Sequence, residues 1–333
     1  MHISILYTTA TSQYSKTKFF AADEDTKLSA IEIADALKKK HIRVSLVPLR
    51  RTNIEKTIRS IHADCIFNLI EWGGADLPYA LYAFGFLEQT GIPFTGATTE
   101  NYLLVSNKIY MKQVFDDYDI PTAKWQAFIN GHERIRSDFH YPLIVKPALE
   151  HCSIGLTYDM IVSNKKALRG VIQTQLKRFK NPVFAEEFID GREFHVSVLE
   201  QHGKPVVHPI VEITYHVKGT RAFLTYESRW DVDHPDYQNS DIGVAKLSPA
   251  LRKKIEKVCR DIFTKLRYRD YIRVDIRVRR GKIFVLEANC NPGLGDDEDS
   301  ATPIAHKAAG MEFSEFVWEI VQSCMRRFGA SLS

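Results

Sequence analysis

Apolar positions recur along the first hundred residues with two periods. His2 to Tyr7, Ile42 to Val47 and Cys65 to Ile70 are short, β-prone apolar runs of strand length. Between the first two, Leu28, Ile31, Ala34 and Leu37 form one helical stripe. Lys38–Lys40 follow at its C-terminal end, where positive charge suits the helix dipole. The pattern predicts a helix over Thr26–His41 and a second over Pro78–Gln89, with Pro in its first turn and Gly91 beyond its end. Ile92–Phe94 begins a further short strand. Strands alternating with helices of this length predict an α/β unit, a parallel sheet covered on both faces.

The pattern then changes. Asn107–Asp117 reads as a helix closed off by Pro121, and Ala167–Phe179 as another. Trp125–Phe128, Leu143–Lys146, Val183–Glu187 and Phe194–Leu199 read as strands. Ile272–Val278 and Ile283–Leu286 read as a hairpin turning at Arg280–Gly281. Leu251, Ile255, Val258, Ile262 and Leu266 form a helical stripe, as do Phe313, Phe316, Val317, Ile320 and Cys324. Arg229–Asp241 lacks a period and carries Pro235, which predicts a long loop. No internal repeat is visible. Boundaries near 105 and 190 divide the chain into 1–105, 106–190 and 191–333.

Composition narrows the classes. With 333 residues the chain exceeds one ordinary domain of roughly 100–200 residues. At 44% hydrophobic and 26% charged it is globular, not disordered or collagenous. Lys plus Arg is 45 and Asp plus Glu 41, and a net charge of +4 gives no reason to expect nucleic acid or a polyanionic membrane as partner. No apolar run approaches the roughly 20 residues of a membrane span, and no signal-peptide pattern opens the chain. Five cysteines without a C-x-x-C pair exclude a zinc ribbon and predict a reducing cytoplasmic setting.

Three clusters carry chemistry, although the common phosphate loops and hydrolase motifs are missing. Arg273 and Asp275 share one face of a strand, and Glu287 and Asn289 one face of the next. If the hairpin pairs them, two carboxylates and an amide oxygen converge as hard ligands suited to Mg²⁺, with Asn291-Pro-Gly293 following at the strand's end. By itself such an acid pair is more often an ordinary surface ion-pair set. The second cluster is Lys146 at a strand end followed by Glu150-His-Cys152-Ser153-Ile-Gly155, a point charge and a loop of backbone N–H groups for phosphate. The third is Glu186-Glu187-Phe188-Ile189 with Glu193, an acidic and apolar segment able to hold a purine nucleoside.

Taken in order, these segments resemble the ATP-grasp superfamily, and within it the D-alanine–D-alanine ligase family, from about Phe67 to Ile320. The most specific parts are Arg273-Val-Asp275, Leu286-Glu-Ala-Asn289 with Pro292-Gly293, and Ala309-Gly-Met-Glu-Phe-Ser314. The resemblance implies a Rossmann-like N-terminal domain followed by two ATP-grasp subdomains that sandwich ATP. It implies ATP and Mg²⁺ (or Mn²⁺) as cofactors, small amino acids or a short peptide as substrates, and a homodimer. Lys108 and Lys146 would contact phosphates, with Ser153 and neighbouring amides closing over them. Glu186 and the backbone of Glu187, Phe188 and Ile189 would read adenine beside Leu286, and Glu193 the ribose. Asp275, Glu287 and Asn289 would hold the metals. Arg273 and the Gly293 backbone would stabilise an acyl phosphate and an oxyanion. Ser300 would meet the second substrate.

The sequence also departs from the family's pattern. The early strand runs into Tyr7-Thr-Thr-Ala-Thr-Ser-Gln13 without the expected Glu, Glu24 being the nearest. Cys152 replaces a loop Ser and His151 a Gly. The lid's Lys-Tyr pair is Arg229-Trp230, and the stretch before Ser300 is acidic (Asp296, Asp297, Glu298, Asp299). The expectation is therefore a peptide-bond-forming ligase with altered amino-acid loops, set against a plain D-alanine–D-alanine ligase, a phosphotransferase on the same fold, and a non-catalytic ATP-binding protein. Cys152 and Cys290 fall on predicted active-site loops, either as tolerated small residues or as thiols whose alkylation inactivates the enzyme.

Overall fold

The structure is a computed structural model that describes residues 1–9, 20–237, 239–296 and 300–329, with side chains described from 25 onward in the first helix. The expectations for Gln13, Glu24, Asp297, Glu298 and Asp299 lie outside the described residues or side chains. Strand β1 (His2–Thr8) leads through α1 (Phe20–Lys38) to β2 (Arg43–Leu49), α2 (Ile54–Arg59), β3 (Cys65–Leu69) and α3 (Leu77–Gln89). The three strands form a parallel sheet in the order β2-β1-β3. Alternation sorts its two faces: Ile3, Ile5 and Phe67 pack under α1, while Leu6 and Ile66 pack under α3. Ile92–Phe94 reaches this sheet only as a single bridge, Ile66 to Phe94. Pro93 accepts from Ile66 but has no N–H of its own to extend the ladder.

Helices α4 (Thr99–Ser106) and α5 (Lys108–Asp117) cross to a second sheet. It contains β4 (Trp125–Phe128), β5 (Leu143–Pro147), β6 (Ile161–Val162), α6 (Lys165–Phe179) on its back, and β7 (Val183–Glu187), in the antiparallel order β4-β7-β5-β6. Leu143, Val145, Val183 and Ala185 pack on Leu168 and Ile172 of α6. The alternate residues Lys146 and Glu186 consequently point the other way.

The third sheet takes β8 (Arg192–Gln201), β9 (Lys204–Val207), β10 (Val211–Tyr215), β11 (Ser240–Val244), β12 (Tyr271–Arg279) and β13 (Lys282–Cys290). Between β10 and β11 lies the short α7 (Tyr226–Trp230), and between β11 and β12 lies α8 (Pro249–Lys265). Helices α9 (Ala301–Ala308) and α10 (Phe313–Arg327) end the described chain. The segment expected as one loop over Arg229–Asp241 is thus the end of α7, a run of turns, and the start of β11. Ile272, Val274 and Ile276 pack against Ile255, Cys259 and Ile262 of α8. The other face of β12 carries Arg273, Asp275 and Arg277. No helix among the described residues is long and apolar enough to cross a membrane.

Candidate active site

The hairpin expected at Arg280–Gly281 is present, with both residues in the left-handed region (φ 52° and 75°). Its register sets Arg273 opposite Asn289 and Asp275 opposite Glu287, with a shift after Asp275 that leaves Leu286 as the extra residue of a bulge. Asn289 Nδ2 lies 3.2 Å from both Asp275 Oδ2 and Glu287 Oε1. Arg273 donates to Asp275 twice, at 2.7 and 2.9 Å, and Lys108, from the first turn of α5, donates to Glu287 at 2.5 Å. Burial by itself would raise the Glu287 carboxyl, but Lys108 and then Arg273 hold it well below the usual range. Burial likewise works against the Lys108 ammonium, and Glu287 outweighs it, raising the lysine above its ordinary value.

A second charged group faces this one from the smaller antiparallel sheet. Glu186, 1% exposed, forms ion pairs of 2.8 Å with both Lys112 and Lys146. Burial pushes its carboxyl up, and the two lysines overcome that and bring it down to about 2. Lys112 is itself fully buried, donates to Thr122 Oγ1 at 2.6 Å, and is lowered below its ordinary value chiefly by burial. The sequence reading missed Lys112. Its signal is the four-residue spacing from Lys108, which puts both ammonium groups on one side of α5.

Arg277 was missed as well, although it continues the alternation of Arg273 and Asp275. It is buried, donates twice to Glu193 (2.8 and 2.6 Å) and once to Ile189 O (2.7 Å), and lies over the Phe188 ring. Tyr215 also donates to Glu193 at 3.0 Å. Burial would raise the Glu193 carboxyl; Arg277 and then His195 bring it to about 2. The Ile189 carbonyl and the Glu187 N–H, which donates to Lys124 O at 2.9 Å, therefore already have partners within the chain.

Between the sheets lies a cleft of about 600 Å³. The residues given nucleotide, metal or substrate roles from the sequence line it: Lys108, Lys146, Cys152, Ser153, Glu186 to Ile189, Glu193, Arg229, Trp230, Arg273, Asp275, Leu286, Glu287, Asn289, Gly293 and Ser300. The 148–157 loop turns sharply there, with Cys152, Ser153 and Gly155 at φ 51°, 59° and 80°. A Cβ on Gly155 would also meet the Phe179 ring at 2.4 Å. Trp230 Nε1 donates to Cys152 O at 3.2 Å, and Arg229 stacks on the Trp230 ring, so α7 is pinned over this loop. At the other end the cleft meets Asp25, Glu32 and Glu71, three acids contributed by the N-terminal part. Cys290 is buried and burial pushes its thiol up, which makes it a poor nucleophile.

Comparison with known proteins agrees in one direction. The family model for the D-ala D-ala ligase C-terminus matches residues 114–322. The chain is 30% identical over 239 residues to a D-alanine–D-alanine ligase of Aquifex aeolicus, covering 71% of this chain and 75% of that one. It is 30% identical over 269 residues to the uncharacterized protein y4sG of Sinorhizobium fredii, covering 79% and 75%. In fold it matches the D-alanine–D-alanine ligase of Bacillus anthracis complexed with ATP, at a TM-score of 0.76 and 20% identity over 99% of each chain. It also matches the VanG D-Ala:D-Ser ligase of Enterococcus faecalis, at 0.75 and 19% over 97% and 99%. The chain belongs to the D-alanine–D-alanine ligase family, ATP-dependent ATP-grasp enzymes that join a carboxylate to an amine.

Proposed function

We propose that this protein forms a peptide bond between amino acids or a short peptide through an acyl phosphate, and that its substrates are not restricted to D-alanine. The observation that carries the chemistry is the meeting of Asp275, Glu287 and Asn289 with Lys108, Lys146 and Arg273 in one cleft. A carboxylate is a poor electrophile. Transfer of the ATP γ-phosphoryl to it creates a phosphate leaving group. The amine then attacks, loses a proton, and displaces phosphate by way of an oxyanion. Such a reaction is catalysed by positioning and charge stabilisation, without a nucleophilic side chain.

In this reading Lys108 and Lys146 bind phosphates, and Ser153 with its loop amides closes over them. Glu186, the shared partner of Lys112 and Lys146, positions Lys146 as well as facing the purine. Phe188, Ile189 and Leu286 form the base's apolar walls, and Glu193 meets the ribose. Arg273 and the Gly293 backbone meet the acyl phosphate and oxyanion, and Arg229 and Trp230 form the lid that keeps water out. Asp275, Glu287 and the amide oxygen of Asn289 would hold Mg²⁺, because the donor set is all oxygen, with Lys108 and Arg273 giving up their ion pairs to the two carboxylates as the metal binds. A metal ion there would neutralise phosphate charge. The reading keeps the three parts 1–105, 106–190 and 191–333, with ATP between the last two.

Altered substrates are supported by the departures from the family's pattern at His151, Cys152, Arg229 and Trp230, all of which line the cleft, while Asp25, Glu32 and Glu71 at its other end favour the ammonium of an amino acid and Ser300 stands at the N-cap position of α9. Five free cysteines fit a reducing compartment. The test is phosphate release with ATP and Mg²⁺ across amino acids and dipeptides, singly and in pairs, with products identified by mass. Release that requires a pair other than two D-alanines supports the proposal. Turnover confined to D-alanine, yielding only its dipeptide, makes the protein a D-alanine–D-alanine ligase.

A further inference from the structure

One cluster in the cleft wall has donors of a different chemistry from the all-oxygen set. His151 Nδ1 stands 3.2 Å from Cys152 Sγ and 3.7 Å from Glu71 Oε1, and the three donor atoms all lie within 4.8 Å of one another. Donors sharing one tetrahedral zinc, with bonds of about 2.0–2.3 Å, sit roughly 3.3–3.6 Å apart, so these atoms are near the required spacing. The direction of the imidazole separates a metal site from a nucleophilic relay. In a relay the acid meets the ring nitrogen remote from the nucleophile. Here thiol and carboxylate approach the same nitrogen, so the three donor atoms cluster together as ligands of one ion would.

The surroundings hold that arrangement. A Cβ on Gly73 would lie 2.3 Å from His151 Cδ2 and 2.9 Å from Nε2, so glycine there gives the ring its room from behind. Gly73 has φ −113°, which any residue adopts; the space, not the backbone, requires glycine. Gly74 N donates to Leu149 O at 2.9 Å, tying the loop of Glu71 to that of His151. Four of the five cysteines are buried, and Cys152 alone is partly exposed.

We propose that Glu71, His151 and Cys152 form a site for a borderline-soft divalent cation, Zn²⁺ first among them, separate from the all-oxygen set of Asp275, Glu287 and Asn289. Binding replaces the thiol S–H by a metal–thiolate bond and releases the proton to solvent. Three protein ligands leave a fourth position open to water or a substrate group in the cleft. An ion there links the segment after β3 to the phosphate-facing loop after β5, and so restrains the loop that must close.

The test is Co²⁺ and Zn²⁺ binding to full-length protein stripped of metal and held in excess Mg²⁺, which keeps the oxygen set filled. The expected result is one Co²⁺ per chain, with a thiolate-to-cobalt charge-transfer band that Zn²⁺ abolishes. Cys152→Ser should lose the band, Glu71→Gln and His151→Gln should weaken binding, and Glu287→Ala should keep it. No band in the unaltered protein, an unchanged band in Cys152→Ser, or its loss in Glu287→Ala overturns the proposal. A second measurement needs no variant: saturating Zn²⁺ should slow iodoacetamide labelling of Cys152, read by peptide mapping. An unchanged labelling rate also counts against the site.

Discussion

Glu287 and Glu186 have the same kind of neighbour and different consequences when changed. Glu287 opens onto the cleft, so Glu287→Ala should retain the fold by circular dichroism. It should lower ATP turnover by about 10²-fold or more, the order seen when one preorganised electrostatic contact to a reacting group is lost. Unchanged phosphate release would remove Glu287 from the reaction. Glu186 is buried between Lys112 and Lys146, and Glu186→Ala leaves the buried Lys112 ammonium and the partly exposed Lys146 without their shared carboxylate, a loss of about 3–5 kcal/mol. Its folded carboxyl, at about 2, lies below the ordinary 4.5. The ion pair therefore adds stability above pH 4.5, and that contribution drains away as pH falls toward 2. Acid melting curves of the unaltered protein should steepen in that window, and those of Glu186→Gln should be flatter there. Chemistry at this scale was legible in residue types and spacing for Arg273, Asp275, Glu287 and Asn289. Lys112 and Arg277 escaped because a lone basic residue on a helix or strand is ordinarily solvated, and only burial marks them out.

At the scale of elements, the 148–157 loop and α7 pack together. Trp230 Nε1 donates to Cys152 O at 3.2 Å and Tyr226 N to Leu156 O at 3.3 Å, which holds α7 onto the loop. Trp230→Phe keeps the ring and removes the donor. It should raise the ratio of phosphate released to amide product formed, because water reaches the acyl phosphate more often. A ratio unchanged from the unaltered enzyme would free Trp230 of that role. Gly155→Ala should impair turnover more than it lowers the melting temperature, since φ 80° and the Phe179 ring both resist a Cβ at that turn. Long periodic elements were readable from the pattern, within a few residues: α3, α6, α8, α10 and the β12–β13 hairpin. Strands β9 to β11 were not, because they are short and most of their residues are exposed or only partly buried, which leaves no clear apolar alternation.

At the scale of the molecule, Asn291 joins the first part to the last, alongside Arg269, Asp270 and Arg327. Asn291 sits at φ 47° just after β13, accepts from Ala97 N at 2.9 Å and donates to Asn68 O at 3.3 Å. Its Oδ1 would lie 2.0 Å from a Cβ on Gly96, so the Gly96 turn and Asn291 were fitted together. Asn291→Ala leaves buried backbone groups unmatched and should cost about 1–3 kcal/mol, seen as a melting temperature lower by several degrees. Sequence alone marked Asn291-Pro-Gly as a turn beside a site, without its partner 194 residues away.

The sequence by itself determined the α/β character, the hairpin turning at Arg280–Gly281, and the Arg273, Asp275, Glu287, Asn289, Lys108 and Lys146 set that reaches the cleft. Those follow from period and spacing, which are local. The bulge at Leu286 that sets Asp275 against Glu287 is seen only in the structure. Tertiary structure alone decided that Glu186 is shared by two lysines, that Arg277 occupies Glu193, and that Glu71 meets His151 and Cys152. Those depend on which sheet faces which, and on burial that turns an ordinary charge into one requiring a partner. No periodicity along the chain encodes such encounters between distant segments.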